Sequence, residues 1–316
     1  MEPLIAVDRV VKTYGARTAL AGVSFVVRAG AITGLLGPNG AGKSTTISVI
    51  ATLLDADSGT VTVAGHRLPD DAPAARRVLG LVPQRLALYP TLTARENLRF
   101  FARMQGLRGI AARVAVNDAL ALVALESRAD EPVAQFSGGM KRRLNLAAGI
   151  LHRPRIVLLD EPAVGVDPQS RERIFEAVQG FARAGAAVLY STHYMDEAER
   201  LCDEVVLLDD GRVVASGTPG ELVVGTGMTP SVRLRTAKPL PTGWLDAATG
   251  AHVVGDEHGP DIAIAVDDDG AVSRVLSAVM RAGGDVVELS VHHPNLADAF
   301  FRLTGRALRD QDGTSA

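Results

Sequence analysis

Residues 37–44 read Gly37-Pro38-Asn39-Gly40-Ala41-Gly42-Lys43-Ser44, a complete G-x-x-x-x-G-K-[ST] pattern followed by Thr45. The apolar run 31–36 before it predicts a buried strand, and 45–54 after it predicts a helix. Glycines in such a setting let the backbone curl around a polyphosphate. The loop N–H groups and the positive helix N-terminus then point at the anion. Lys43 is expected to reach the terminal phosphates, and Ser44 to offer its hydroxyl to Mg²⁺. The pattern therefore predicts a nucleoside triphosphate site.

Composition narrows what such a site serves. The chain has 316 residues, enough for two domains, and its net charge is −3 with mixed signs. No basic field invites nucleic acid. No apolar stretch approaches the roughly 18 to 20 residues needed to span a bilayer, and residues 1–3 lack a charged-then-apolar signal pattern. A cytosolic chain is expected, whose attachment to a membrane would run through a protein partner. The single Cys202 cannot form an internal disulfide and reads as core packing.

Around the loop, 4–11, 21–28 and 58–64 alternate in strand fashion and predict a small antiparallel layer. Residues 78–82 read as a core strand ending at Pro83-Gln84, after which 93–105 and 114–125 carry apolar residues at helical spacing. From 156 onward short apolar strands (156–159, 187–190, 205–208) alternate with helices (171–183, 195–202), the signature of a mostly parallel sheet. Asp210-Gly211 predicts a hairpin turn into 212–216. The expected fold class is α/β, with domains at 1–225 (a helical subdomain at about 85–150) and 226–310, and a frayed tail at 311–316. The second domain, with strands at 231–235, 261–266 and 285–291 and a helix carrying Val272, Val275, Leu276 and Val279, reads as a small ferredoxin-like α+β unit with regulation among its possible roles.

Three further segments carry chemistry. Ile156-Val157-Leu158-Leu159-Asp160-Glu161 delivers two carboxylates at a strand end, Asp160 for Mg²⁺ and Glu161 to orient and polarise the attacking water. Phe136-Ser137-Gly138-Gly139-Met140 opens a helix and forms a second phosphate-binding N-terminus, which invites a dimer in which each subunit closes the other's site. His193, following the strand 187–190, falls at the same sheet end as Glu161 and could sense the γ-phosphate. Gln84 could ligate Mg²⁺, and Tyr14 could stack on a base. His292-His293 lacks neighbouring ligands at metal spacing, and His66, His152, His252 and His258 stand alone.

In order and spacing these pieces resemble the ATP-binding cassette (ABC) ATPases over residues 4–222. The resemblance implies a core with a parallel sheet, an antiparallel β layer and a helical subdomain. It implies Tyr14 as the adenine-stacking aromatic, residues 37–45 as the phosphate loop, and Gln84 as the loop glutamine. Ser137, Gly138 and Gly139 become the signature acting in trans, Asp160 and Glu161 the magnesium and catalytic carboxylates, Asp167 the dimer contact and His193 the switch histidine. Phe136 and Met140 depart from the commonest signature. Residues 136–147, 192–199 and the tail Pro294-Asn295-Leu296-Ala297-Asp298-Ala299-Phe300 are similar to exporter ATPases of the daunorubicin-resistance type.

The resemblance implies a head-to-tail homodimer using ATP and Mg²⁺. It would sit peripherally at the cytoplasmic face of the cell membrane and drive a separately encoded permease, without nucleic acid. Drug or antibiotic efflux is expected, with lipid, polysaccharide or ion cargo as the alternative. The helical segment 85–134 would dock the permease, with Leu86, Leu88 and Tyr89 as contacts. A soluble cassette acting on DNA or ribosomes would carry coiled-coil insertions or basic extensions, and a GTPase would carry Asn-Lys-x-Asp; neither is found. Sequence physics does not separate export from import; the resemblance favours export.

Overall fold

The computed structural model describes residues 3–246, 248–254, 261–267 and 269–305. The expected tail 311–316 and His258 lie outside the described residues. In chain order the first part holds β1 (Pro3–Tyr14), β2 (Arg17–Arg28), β3 (Ile32–Leu36), α1 (Lys43–Ile50), β4 (Ser58–Val63), β5 (His66–Leu68), α2 (Ala72–Val78) and β6 (Leu79–Val82). Then follow α3 (Ala94–Met104), α4 (Gly109–Leu122), α5 (Gly138–Gly149), β7 (Ile156–Asp160), α6 (Pro168–Arg183), β8 (Ala187–Thr192), α7 (Met195–Leu201), β9 (Glu204–Asp209) and β10 (Arg212–Gly217).

A six-stranded sheet runs β10-β9-β3-β8-β7-β6, parallel except for the β9–β10 hairpin at its edge. Every residue of β3, β7 and β8 is buried, as in strands covered on both faces, which explains their mostly apolar runs. The second sheet, β2-β1-β4-β5, is antiparallel. One core joins the two sheets through Ile5, Val27, Leu35, Ile50, Leu158 and Leu189. Parallel register places Leu36 beside Thr192, Ser191 beside Asp160 and Leu159 beside Val82. The loops after β3, β6, β7 and β8 therefore leave from one sheet edge, the carboxyl edge where ligands bind in open α/β sheets.

Two details differ from expectation. The helix after the phosphate loop stops at Ile50 rather than 54, and Thr52 turns to a left-handed φ of 61°, which ends helical bonding. The helix α2 was not foreseen, because its short Ala-Pro-Ala-Ala-Arg-Arg-Val run carries too little periodicity to read. In the helical segment, α3 starts at a capping box in which Thr93 Oγ1 accepts from Glu96 N at 3.1 Å while Glu96 Oε2 accepts from Thr93 N at 2.8 Å.

The chain divides into two compact units, the second running Gly220–Gly305. It begins a few residues ahead of the expected boundary at 226, where Pro219 ends strand pairing and opens the short helix α8 (Pro219–Val224). Next come β11 (Ser231–Thr236), β12 (Ala251–Val253), β13 (Asp261–Val266), α9 (Asp269–Arg281), β14 (Val286–His292) and α10 (Leu296–Thr304). Its sheet runs β12-β13-β11-β14 with every pair antiparallel. That is the strand order of a ferredoxin-like unit. The helix that would join the first two strands is replaced by turns around Trp244 and Leu245, which pack with Val232, Ile264 and Val275.

Candidate functional site

The sheet edge presents a cavity of about 410 Å³ lined by Tyr14, Arg17, Asn39, Gly40, Gly42–Thr45, Gln84 and Glu161. The phosphate loop takes its shape from Gly42, the N-cap of α1 at φ 108°. A Cβ there would strike Ala19 O at 2.7 Å. Arg17 donates to Gly40 O at 3.3 Å and braces the loop from the β1–β2 hairpin.

Lys43, only 4 % exposed, folds over the loop. Its ammonium donates to Gly37 O (2.8 Å) and Pro38 O (3.1 Å) and lies 3.3 Å from Glu161 Oε1. All three donors are engaged. Burial pulls the Lys43 pKa down from its ordinary value, and the charge and hydrogen bond of Glu161 oppose that shift.

Glu161 is the hub. It leaves β7 in a left-handed conformation, φ 46°, unusual for a side-chain-bearing residue and concentrated at functional sites. Its Oε2 accepts from Gln84 Nε2 at 2.9 Å, and its Oε1 lies 3.2 Å from His193 Nδ1. A carboxylate only accepts, so this geometry puts the imidazole proton on Nδ1. Lys43, Gln84 and His193 thus meet at the Glu161 carboxylate.

Asp160 Oδ1 accepts from the Ser44 hydroxyl at 3.2 Å and from Ser191 Oγ at 2.8 Å, while Ser191 Oγ accepts from Glu161 N at 3.0 Å. Ser191 ties the Asp160 carboxylate and the Glu161 backbone to β8, a role sequence reading did not assign. Its signal was a hydroxyl directly after the apolar run 187–190. Among the described residues no cluster of three His, Cys, Asp or Glu could hold a metal alone. Hydroxyl, carboxylate and amide oxygens from Ser44, Asp160 and Gln84 form a hard donor set that fits Mg²⁺ with phosphate oxygens completing it.

The loop carrying Gln84 is fastened to α5. Buried Asn145 accepts from Ala87 N (3.0 Å) and donates to Pro83 O (3.2 Å). Arg142 donates to Gln84 O and, at 3.4 Å, to Val164 O; burial lowers its pKa. Ser137, Gly138 and Asp167 do not line the cavity; all three are exposed. They cap neighbouring helices: Ser137 Oγ accepts from Met140 N at 3.2 Å, and Asp167 Oδ1 from Ser170 N at 2.9 Å. Between those caps Gly139 is pressed so closely that a Cβ would lie 2.7 Å from Asp167 Oδ2.

Comparison with known proteins agrees with this geometry. Residues 20–164 match the family described as ABC transporter. The linearmycin resistance ATP-binding protein LnrL of Bacillus subtilis is 39% identical over 312 residues, covering 97% of this chain and 100% of that protein. The daunorubicin resistance ATP-binding protein DrrA3 of Streptomyces coeruleorubidus is 38% identical, covering 95% of this chain and 96% of that protein. A solved dimeric ATP-binding cassette in a post-hydrolysis state with ADP and phosphate matches with a TM-score of 0.62 and 27% identity, over 68% of this chain and 98% of that one.

Proposed function

The chain belongs to the ABC transporter ATPase family, and on that premise we propose that it is the ATP-hydrolysing motor subunit of an exporter for drug- or antibiotic-like cargo. The observation that carries the reading is the convergence of Lys43, Gln84 and His193 on Glu161 beside the phosphate loop. Glu161 would orient and polarise the attacking water. His193 would hold the γ-phosphate or that water, and Tyr14, 49 % exposed at the cavity rim, would stack on adenine. Mg²⁺, held by Ser44, Asp160 and Gln84, would neutralise charge developing on the phosphates.

The exposed Ser137 and Asp167 support a site shared between two copies. In a head-to-tail homodimer Ser137, Gly138 and Gly139 of one subunit would face the terminal phosphate of the other. ATP would bridge the copies, and hydrolysis would release them. No described helix is long and apolar enough to cross a membrane, so transport calls for a separate permease. Leu86 (43 % exposed), Tyr89 (46 %) and Phe100 (38 %) give an apolar surface on the helical segment for it, at the cytoplasmic face of the membrane. Tyr89 and Phe100 pack edge-on at 5.0 Å. The resistance proteins that the chain resembles support drug cargo.

The test is cellular accumulation of a fluorescent anthracycline with the chain and its permease co-expressed, comparing wild type with Glu161→Gln. Lower accumulation in wild type alone establishes ATP-driven drug efflux. Equal accumulation with ATPase activity intact keeps the motor and moves the cargo to lipids, glycans or ions.

A further inference from the structure

Strand β8 ends Tyr190-Ser191-Thr192, and alternation sends Ser191 to the carboxylate side while Tyr190 and Thr192 both meet α7. There a carboxylate sits almost out of solvent: Glu197 is 2 % exposed. Its Oε2 accepts from Tyr190 OH at 2.9 Å and from Thr192 Oγ1 at 2.8 Å. Thr192 Oγ1 in turn accepts from Tyr194 N at 3.0 Å. The residues on either side of His193 are thereby tied together and to Glu197, closing the turn that carries the imidazole. The His193 and Tyr194 rings lie 4.2 Å apart, and the Arg171 guanidinium sits over the Tyr194 ring at 5.8 Å.

Buried carboxylates are expensive unless every oxygen is paired. Glu197 Oε1 has no hydrogen-bond partner and lies 3.7 Å from Arg171 Nε, which has none either. An apolar side chain would fill the space without burying an acid, but it would leave the buried Tyr190 and Thr192 hydroxyls without their acceptor. A fixed acceptor for the Thr192 hydroxyl is what the acid supplies.

We propose that Glu197 is a positioning residue that acts through Thr192 to hold the His193 turn against Glu161. It rests on the ATPase reading and touches no reacting atom. Losing the tie leaves the phosphate loop unchanged, so nucleotide affinity stays while the hydrolytic step suffers.

The test uses the full chain and measures kcat for ATP hydrolysis together with Kd for a fluorescent ATP analogue. Glu197→Met, which keeps the length and removes the acceptor, and Thr192→Val are each expected to lower kcat at least about fivefold with Kd within about twofold, and the double variant to be no slower than the worse single. Thr192→Ser keeps the hydroxyl and is expected to keep kcat. Thr192→Val at wild-type kcat, Ser and Val equally impaired, or a double variant equal to the product of the singles would each overturn the inference. Should Glu197→Met fail to fold, the Ser and Val pair at 192 decides. A wild type that hydrolyses no ATP sinks the ATPase reading and this inference with it; an active wild type with unaffected variants sinks this inference alone.

Discussion

Lys43 Nζ lies 3.3 Å from Glu161 Oε1, with 4 % and 6 % of the two side chains exposed. The lysine that should greet the terminal phosphate is thus held by the carboxylate that should activate water. On the proposed roles, an entering polyphosphate would take Lys43 away from Glu161 and free the carboxylate as the substrate arrives. Replacing Glu161 by Gln removes the competing charge and keeps the side chain's shape. Hydrolysis is expected to fall by about 10² or more while ATP affinity is kept or tightened. Single-turnover hydrolysis and nucleotide titration read the two separately; undiminished turnover would remove Glu161 from its role.

Ser191→Ala deletes the hydroxyl that donates to Asp160 and accepts from Glu161 N. A buried N–H left without a partner costs about 1–3 kcal/mol. The left-handed turn at Glu161 loses its anchor, so kcat should drop more than ATP affinity. Denaturant unfolding beside steady-state kinetics tests this, and a loss of affinity with kcat intact would contradict it.

Gly139→Ala places a methyl group 2.2 Å from Ser170 Oγ and 2.7 Å from Asp167 Oδ2. The start of α5 and the start of α6 must separate, at about 1–3 kcal/mol. Because neither helix start lines the nucleotide cavity, ATP binding by the isolated chain should persist while hydrolysis fails. Impaired ATP binding in a folded variant would show that the two helix starts support the cavity directly.

Asp57 accepts from Lys12 Nζ (2.8 Å), Thr13 N (2.7 Å) and Thr13 Oγ1 (2.6 Å), beside Tyr14. Those partners, the Lys12 hydrogen bond first, hold its pKa at about 2 against an ordinary 3.8. A carboxylate depressed on folding contributes stability that is complete above its unfolded pKa and is lost as pH falls through the folded one. The melting-temperature gap between wild type and Asp57→Asn should therefore be constant at neutral pH and close between 3.8 and about 2. A gap that persists unchanged to the lower limit would show that Asp57 acts through something other than its charge.

Local chemistry made part of this protein legible in its sequence. The loop 37–45 could be read because its spacing of Gly, Lys and Ser encodes backbone shape and charge within nine neighbouring positions. β3, β7 and β8 were readable because strands buried on both faces are mostly apolar. Placing Glu161 and His193 at one sheet end followed from both acids and imidazole ending parallel strands. Helix α2 escaped, being too short to show a period. Tertiary structure alone decided that Gln84, Lys43 and His193 share one carboxylate, that Ser191 of β8 holds both Asp160 and the Glu161 backbone, that Gly139 is pinned against Asp167, and that Glu197 reaches back to Thr192. Most of those partners are far apart in the chain or face one another across strands, and Glu197 meets Thr192 only because α7 folds back on β8. A sequence fixes which groups exist and how they repeat locally; only packing sets the ångström separations on which hydrogen bonds and charge depend.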